Sequence, residues 1–486
     1  MDPVGLFALG AAVLMTSALL AGVVERAPVS FPMVFLTLGL ALGGGTSAAV
    51  SIDLHDDVLK TIAFATLALV LFLDALNLDL RHLRGHWVLP ALTLGPGTAA
   101  VVVLVALAAI AILGLDPLPA FLVGAVLAST DPVVLRDVTH DERIPGGVRR
   151  ALSLEAGMND AIVLPTVLVL TAVAGSGISG TGDWVRYVVE LLVVGPLAGA
   201  VVGVAGAALM SEVDRRRPVR SEWQALYGIG LVLCAFAAGE TFGEDGFLAA
   251  FAAGAAVALS SRTLCDCFLD FGEVIAELLM LVSFVLFGIV LSTELDAVPL
   301  WEGLALAAVA LLLVRPLSMW SVLSLRHSVL SRDGRAFIAW FGPRGLNSLL
   351  LALLVVEEGV ADSREVFALV GLVVLVSVYV HGASATPLAA WYGRRVDRSM
   401  HPEERESLAD GVLARVSVGD APRIDAAELR ALLDGDAPPV VVDVRSRSGY
   451  ARDPVRIPGA QRVRPDEVSD WARQQELDRL VVLYCT

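Results

Sequence analysis

Thirteen apolar windows, most of about twenty residues, follow one another through the first 393 positions, and they leave this chain little choice of fold. They fall at about 3–24, 28–50, 58–80, 87–114, 117–136, 147–174, 184–210, 223–241, 245–261, 270–292, 299–325, 335–357 and 365–393. An α-helix needs about twenty apolar residues to cross a hydrocarbon core of about 30 Å, and a tilted β-strand only about ten. In lipid every backbone N–H and C=O must be satisfied within the segment, so windows of this length read as spanning helices. With 56% hydrophobic residues in 486, the expected class is an all-α polytopic membrane protein of about thirteen transmembrane helices. Asp2-Pro3 precede the first window without a basic stretch, so that window reads as a retained helix rather than a cleaved leader.

The loops between windows are asymmetric. Arg26, Arg81, Arg84, Arg136, Arg143, Arg149, Arg150, Arg215, Arg216, Arg217, Arg220, Arg262, Arg326, Arg332 and Arg335 fall in alternate loops. The other loops carry acidic groups such as Asp53, Asp56, Asp57, Asp116, Asp183, Glu244, Asp245, Glu294 and Asp296, with Lys60 and Arg364 as exceptions. Cytoplasmic loops carry the excess of basic residues, so the N-terminus is expected outside and the C-terminal region in the cytoplasm of a plasma-membrane protein. An odd count of spans suits two inverted six-helix repeats joined by one extra helix, which pairs span 5 with span 12. Both contain helix-breaking sequences, Ser129-Thr130-Asp131-Pro132 and Gly342-Pro343-Arg344-Gly345. Interrupted helices at matching places point to a midplane binding site; plain proline kinks are the alternative, weakened by the charge beside each break.

Span 6 carries the chemistry. Glu155-Ala156-Gly157-Met158-Asn159-Asp160 places two carboxylates and an amide inside an apolar helix, where an aspartate costs roughly 2.5–3.5 kcal/mol and marks an ion pathway or proton relay. Glu155 and Asn159 share a face, and Asp160 lies about 140° round from Glu155. Glu155 needs a partner, and Arg315 in span 11 is the candidate, since a buried charge of either sign is tolerable chiefly as a pair. Asp160 is then the free titrating group. A carboxylate away from bulk water needs one positive partner, which a proton or a small cation can supply in turn; that competition is the minimal physics of exchange. Thr130 offers a hydroxyl and, where the helix unwinds, free carbonyls, so Asp160 and Thr130 are the expected ligands of a monovalent cation. Asp131 sits where half-helix N-termini would converge and can offset their partial positive charge.

These residues resemble those of the NhaP-like and animal NHE-like cation/proton antiporters. The resemblance rests on Thr130-Asp131-Pro132, Glu155 with Asn159-Asp160, Arg315-Pro316-Leu317 and Gly342-x-Arg344-Gly345. It rests also on Leu71-Phe72-x-x-Ala75-Leu76-Asn77-Leu78-Asp79-Leu80 and Gly246-Phe247-Leu248-Ala249-Ala250-Phe251. It covers roughly residues 1–393 and implies a homodimer in which a core domain moves against a dimerisation domain. It also implies that Asp160 binds cation or proton while Glu155 and Arg315 form a structural pair. One departure stands out: the family usually has Ser where this chain has Ala156, which removes a hydroxyl ligand and leaves water, or a larger and more weakly hydrated ion such as K⁺, to fill its place. Asp74 is a candidate for lining a funnel, with a locally paired role as the alternative. Arg344 is expected to support the broken helix by capping carbonyls rather than to act in transport directly. His381 reads as a structural histidine rather than a pH sensor.

Beyond the last window the character changes. Residues 1–396 form the expected antiporter domain, 397–420 a polar cytoplasmic linker, and 421–486 a small α/β piece. The last has a helix near 425–434, strands at Val440–Val444 and Leu480–Tyr484, and a second helix near 465–475. Val442-Asp443-Val444-Arg445, Gly449-Tyr450, Ile457-Pro458-Gly459-Ala460 and Tyr484-Cys485 resemble a rhodanese-like domain. In that family the cysteine, here Cys485, opens a loop that cradles a persulfide or anion; only Thr486 follows it, and Arg456 replaces a common histidine, so an incomplete domain is expected. The four cysteines, with Cys265 and Cys267 one residue apart, read as reduced thiols without metal. The net charge of −16 reads as solubility rather than a partner signal, and neither a cofactor nor a nucleic-acid partner is expected. The leading expectation is a secondary transporter, not an enzyme, exchanging Na⁺, K⁺ or Li⁺ for H⁺ with no net charge moved. A membrane-tethered sulfurtransferase or sulfur sensor is the alternative, disfavoured because an anchor needs neither broken helices nor an intramembrane Asn-Asp.

Overall fold

The computed structural model describes residues 3–24, 29–44, 52–77, 88–139, 144, 146–175, 178, 180–243, 245–260, 262–325, 331–399, 424, 426–435, 438–444, 456–463, 471–472 and 480–484. Among the described residues, eight helices are long and apolar enough to cross a membrane: Asp57–Leu76, Pro90–Leu113, Ala151–Ala174, Thr181–Arg216, Ser221–Phe242, Phe271–Ala297, Leu300–Ser324 and Ser363–Arg395. Five apolar helices are shorter: Ala8–Leu20, Phe31–Gly43, Pro117–Val126, Gly246–Ser260 and Leu346–Glu357. The expectation of about thirteen full spans is thus met at full length by eight. Two of the short helices are short because the chain breaks beside them.

The first broken helix runs Pro117–Val126 and resumes at Pro132–Thr139. The second runs Arg332–Trp340 and resumes at Leu346–Glu357. Pro132 suits the start of a half-helix, where its missing N–H would have had no intrahelical partner. At Gly345 a β-carbon would collide with the Asp131 carboxylate, so the close crossing of the two breaks requires glycine there.

Proline has a second effect. Among the described residues, three π-helical turns interrupt long helices: Thr93–Gly97, which contains Pro96, and Glu190–Val194 and Ala310–Val314, each followed two residues later by Pro196 or Pro316. A proline cannot donate to the carbonyl four residues back, and the freed carbonyls are accommodated by a wider turn. The first and third lie in spans 4 and 11, which correspond if the two halves repeat. The third sets Arg315 immediately beyond the wide turn.

The helices gather into two bundles. One packs Phe31–Gly43, Asp57–Leu76, Gly195–Arg216, Ser221–Phe242, Gly246–Ser260 and Arg262–Glu294 together. The other packs Thr98–Leu113, both broken helices, Gly146–Ala174, Leu300–Val309 with Arg315–Ser324, and Ser363–Ser399. In the first bundle Gly199 and Gly203 lie against Ala249 and Ala253, and a β-carbon on Gly203 would stand 2.6 Å from the Ala253 carbonyl oxygen. Small residues four apart let membrane helices approach this closely. Contacts between the bundles are sparser. They run along a seam between Asp57–Leu76 and Arg262–Glu294 on one side and Gly146–Ala174, Leu346–Glu357 and Ser363–Ser399 on the other.

Among its described residues, the C-terminal region contains the helix Ala426–Leu433 and three parallel strands, β1 (Val440–Asp443), β2 (Gln461–Arg462) and β3 (Val481–Tyr484), in the order β2-β1-β3. Register aligns Val442 with Gln461 and Leu483, and Val440, Val442 and Val463 bury a small core. The short β2 was not anticipated. The helix expected near 465–475 lies outside the described residues apart from 471–472, as do Arg445, Gly449, Tyr450 and Cys485.

Candidate functional site

Where the two broken helices cross, four half-helix ends meet, each exposing backbone groups that no intrahelical bond satisfies. Asp131 serves both N-terminal ends: its Oδ1 accepts from Val133 N at 2.8 Å and its Oδ2 from Leu346 N at 2.6 Å. Its own N–H donates to Pro343 O at 3.0 Å, which locks the two breaks to each other. The C-terminal ends meet positive charge. Arg344 Nη1 donates to Ala128 O and Ser129 O at 2.9 and 2.8 Å, and Arg315 Nη2 donates to Phe341 O at 3.3 Å. Ser348 Oγ takes the Val126 carbonyl at 3.1 Å, and Ser377 Oγ accepts from Arg344 N at 2.7 Å. A carboxylate at the positive ends and guanidinium groups at the negative ends offset the helix dipoles.

The helix Gly146–Ala174 passes beside this crossing and presents Asp160, which is 2% exposed. Ser129 Oγ donates to Asp160 Oδ1 at 2.6 Å, and Asn347 Nδ2 donates to Asp160 Oδ2 at 2.5 Å. Each carboxylate oxygen is therefore tied to a different broken helix. Asn159 turns the other way: its Nδ2 donates to Ala128 O at 2.8 Å and to Thr130 Oγ1 at 3.0 Å. Asn159 Oδ1 is buried with no hydrogen-bond partner among the described residues. The hydroxyl that touches Asp160 is thus that of Ser129, while the Thr130 hydroxyl is engaged by Asn159.

One turn earlier, Arg315 Nη1 lies 2.5 Å from Glu155 Oε1, with both side chains about 2–3% exposed. The contact is one of charge: neither Glu155 oxygen nor Arg315 Nε is aligned for a hydrogen bond among the described residues. The Arg315 guanidinium also fills the space beside Gly342, where a β-carbon would strike it. His381 Nδ1 lies 3.1 Å from Ser377 Oγ, which can donate to it, and Nε2 lies 3.3 Å from Trp340 O, which can accept from it. That arrangement buttresses the second break.

A cavity of about 380 Å³ opens on the seam beside this group. Its walls include Asp74, Asn77 and Glu273 from one bundle and Pro132, Ala156 and Gly157 from the other. Ala156 is four residues before Asp160, so the missing hydroxyl leaves space on the face that carries the carboxylate. Asp74 Oδ2 is buried without a hydrogen-bond partner among the described residues, and Asp74 lies within electrostatic reach of Asp160 and Asp131. The opposite end of the same helix holds a smaller cavity of about 150 Å³, lined by Lys60, Glu240, Asp245, Glu357 and Glu358. There two ion pairs cross between the bundles, Lys60 with Glu357 and Arg364 with Glu294.

The sequence brings Thr130, Asp131, Glu155, Asn159, Asp160, Arg315 and Arg344 to one site, with Asp74 in the adjoining cavity. Ser129 and Asn347 were missed as partners of Asp160. Asn347-Ser348 did carry a signal, two polar residues directly after Gly345 at the head of an otherwise apolar helix.

Residues 13–391 match the sodium/hydrogen exchanger transmembrane family. The K(+)/H(+) antiporter NhaP of Alkalimonas amylolytica is 26% identical over 402 residues, covering 81% of this chain and 69% of that protein. The K(+)/H(+) antiporter NhaP2 of Shewanella sp. (strain MR-4) is 26% identical over 389 residues, 79% of this chain and 66% of its own length. The Na(+)/H(+) antiporter 2 of Zygosaccharomyces rouxii is 28% identical over 316 residues, 61% of this chain and 39% of its own. The chain thus spans about two thirds or less of the length of these curated relatives, which are secondary transporters by name and not enzymes. The fold is similar to that of the sodium proton antiporter MjNhaP1 from Methanocaldococcus jannaschii, at a TM-score of 0.66 and 18% identity over 81% of this chain and 98% of that one. With that family matched over most of its length, the chain belongs to the sodium/hydrogen exchangers.

Proposed function

We propose that this protein is a secondary antiporter that exchanges Na⁺ or K⁺ (or Li⁺) for H⁺ across the plasma membrane. One observation carries the reading: Asp160 stands buried at the crossing of two broken helices, beside a cavity on the seam between two helix bundles. A carboxylate there needs a positive partner, and Asp160 can take a proton or a cation but not both. Glu155 is already neutralised by Arg315, and Asp131 has both oxygens engaged by backbone N–H groups. Asn159 cannot titrate, yet its free Oδ1, with Thr130, completes a set of hard oxygen ligands. One titrating carboxylate makes the exchange one for one and electroneutral. Asp74, the second carboxylate of the larger cavity, is assigned to the path by which cations reach Asp160.

The seam supplies alternating access. Asp74 and Lys60 lie fourteen residues apart on one helix, about 21 Å, so the two cavities open toward opposite membrane faces. The larger cavity reaches the Asp160 helix, and the smaller end is held by two ion pairs, which supports an arrangement open at the Asp74 side. The basic loops support a cytoplasmic position for that side, and the proposal includes thirteen membrane crossings, an N-terminus outside and, from the family resemblance, a dimer of two copies. Ala156 enlarges the site on Asp160's face, and relatives named as K(+)/H(+) antiporters support acceptance of K⁺ alongside Na⁺. Residues 421–486 are assigned as a rhodanese-like unit on the cytoplasmic side, which the parallel strands among the described residues support.

The test is dissipation of a pH gradient in vesicles by added Na⁺, K⁺ or Li⁺. The wild type should collapse the gradient with at least one of the three, and Asp160→Asn should insert normally and do nothing. Exchange by Asp160→Asn above half the wild-type rate refutes the assignment.

A further inference from the structure

We propose that Asn347 is a placeholder at the transport site: its amide N–H stands in for the cation or proton on Asp160, and so sets how tightly either can bind. The inference rests on the antiport reading above. An ionised carboxylate removed from water is strongly unfavourable unless other groups compensate it. Whenever Asp160 is ionised and carries no cation, two short bonds can compensate it, from Ser129 Oγ at 2.6 Å and Asn347 Nδ2 at 2.5 Å. Hydrogen bonds to a charged acceptor are about twice as strong as neutral ones. Ser129 belongs to the first break, close to Thr130 and the carbonyls that Arg344 holds. Asn347 comes from the second broken helix, is 2% exposed, and donates its amide N–H to Asp160. A monovalent cation on Oδ2 meets the positive end of the Asn347 N–H at the same oxygen, so it binds at full strength only when that donor has withdrawn.

The consequence has a definite sign. Asn347 stabilises the ionised, unoccupied carboxylate relative to both occupied forms. Removing its N–H should therefore raise the affinity of the site for cation and for proton together. The other charged groups around Asp160 stay in place: Asp131 in the first break, Asp74 on the helix across the seam, Arg344 in the second break, and the Glu155–Arg315 pair on the same helix. The change is thus confined to one bond, worth about one to two powers of ten in an equilibrium constant for a charged acceptor.

The experiment compares wild type, Asn347→Ala and Asn347→Asp in reconstituted vesicles over a full pH range. For Asn347→Ala we expect the apparent KM for cation, read at alkaline pH where protons do not compete, to fall about tenfold or more. The whole activity profile should move about one pH unit or more to the alkaline side. Asn347→Asp keeps the shape and so covers a failure of the alanine variant to insert. It turns the donor into a second carboxylate facing Asp160, the two then share a proton, and its profile should move at least as far. A residue that only supported the fold would lower the rate and leave the profile and KM where they were. Unmoved values in either inserted variant overturn the proposal. Wild-type exchange with a dead Asp160→Asn control shows that the antiport reading survives; exchange persisting in Asp160→Asn overturns that reading first.

Discussion

Removing one member of the Glu155–Arg315 pair tests what holds the site together. Both side chains are about 2–3% exposed, and Arg315 also donates to Phe341 O at the end of a half-helix. Glu155→Gln leaves a guanidinium buried with a single carbonyl at 3.3 Å; Arg315→Gln leaves a carboxylate with no aligned donor and strips Phe341 O as well. Breaking a buried pair from one side typically costs about 3–5 kcal/mol, whereas replacing both charges by neutral groups is often neutral or stabilising. For domains about the size of this bundle, a kilocalorie moves the midpoint by about 2–4 °C, so each single change should lower it by roughly 6–20 °C. Arg315→Gln should sit at the lower end of stability, because it loses the carbonyl contact too. Glu155→Gln with Arg315→Gln together should recover much of the loss. Thermal unfolding of the four purified proteins in one detergent gives the comparison. If both singles match wild type, or the double variant is as unstable as the sum of the singles, the two charges are not energetically coupled.

Three other outcomes follow from the same geometry. Gly345→Ala drives a β-carbon into the Asp131 carboxylate, so it should abolish exchange and lower thermal stability by several degrees, and a protein that transports normally would refute the tight crossing. Ala156→Ser adds a hydroxyl on Asp160's face of the cavity and should shift preference from K⁺ toward Na⁺, read as a change of several-fold in the ratio of apparent KM values. Exchange in vesicles should be insensitive to an imposed membrane potential, and a rate that climbs steeply with voltage would mean that a second charge moves with each cycle.

Much of this was readable in the chain itself, because lipid narrows the options. Apolar windows marked where helices lie, and the helix-breaking residues at Asp131-Pro132 and Pro343-Arg344-Gly345 marked where two of them fail. A buried Glu155 demanded a counter-charge, and Arg315 was the mid-span cation available to supply it. What sequence spacing did not carry was contact across elements. Ser129 and Thr130 are adjacent, and only the path of the first break decides that Ser129 meets Asp160 while Thr130 meets Asn159. Asn347 lies 187 residues from Asp160 and becomes its neighbour only when the two broken helices cross. The division into two bundles was implied by the family resemblance and not by spacing, since each bundle draws helices from both halves of the chain. Which windows form the shorter helices was not readable, because hydropathy registers apolar composition, whereas the breaks beside Pro117–Val126 and Leu346–Glu357 arise from local backbone chemistry and packing.

The central claim is that one carboxylate carries cation and proton in turn, and coupled binding measures it most directly. Cation is added to purified protein in weakly buffered solution, at a pH where the site starts protonated, and released protons are counted against cation bound. The account predicts one proton released per cation bound per chain, release that disappears at alkaline pH, and neither binding nor release in Asp160→Asn. Cation binding without proton release at any pH, or release that persists in Asp160→Asn, would contradict it.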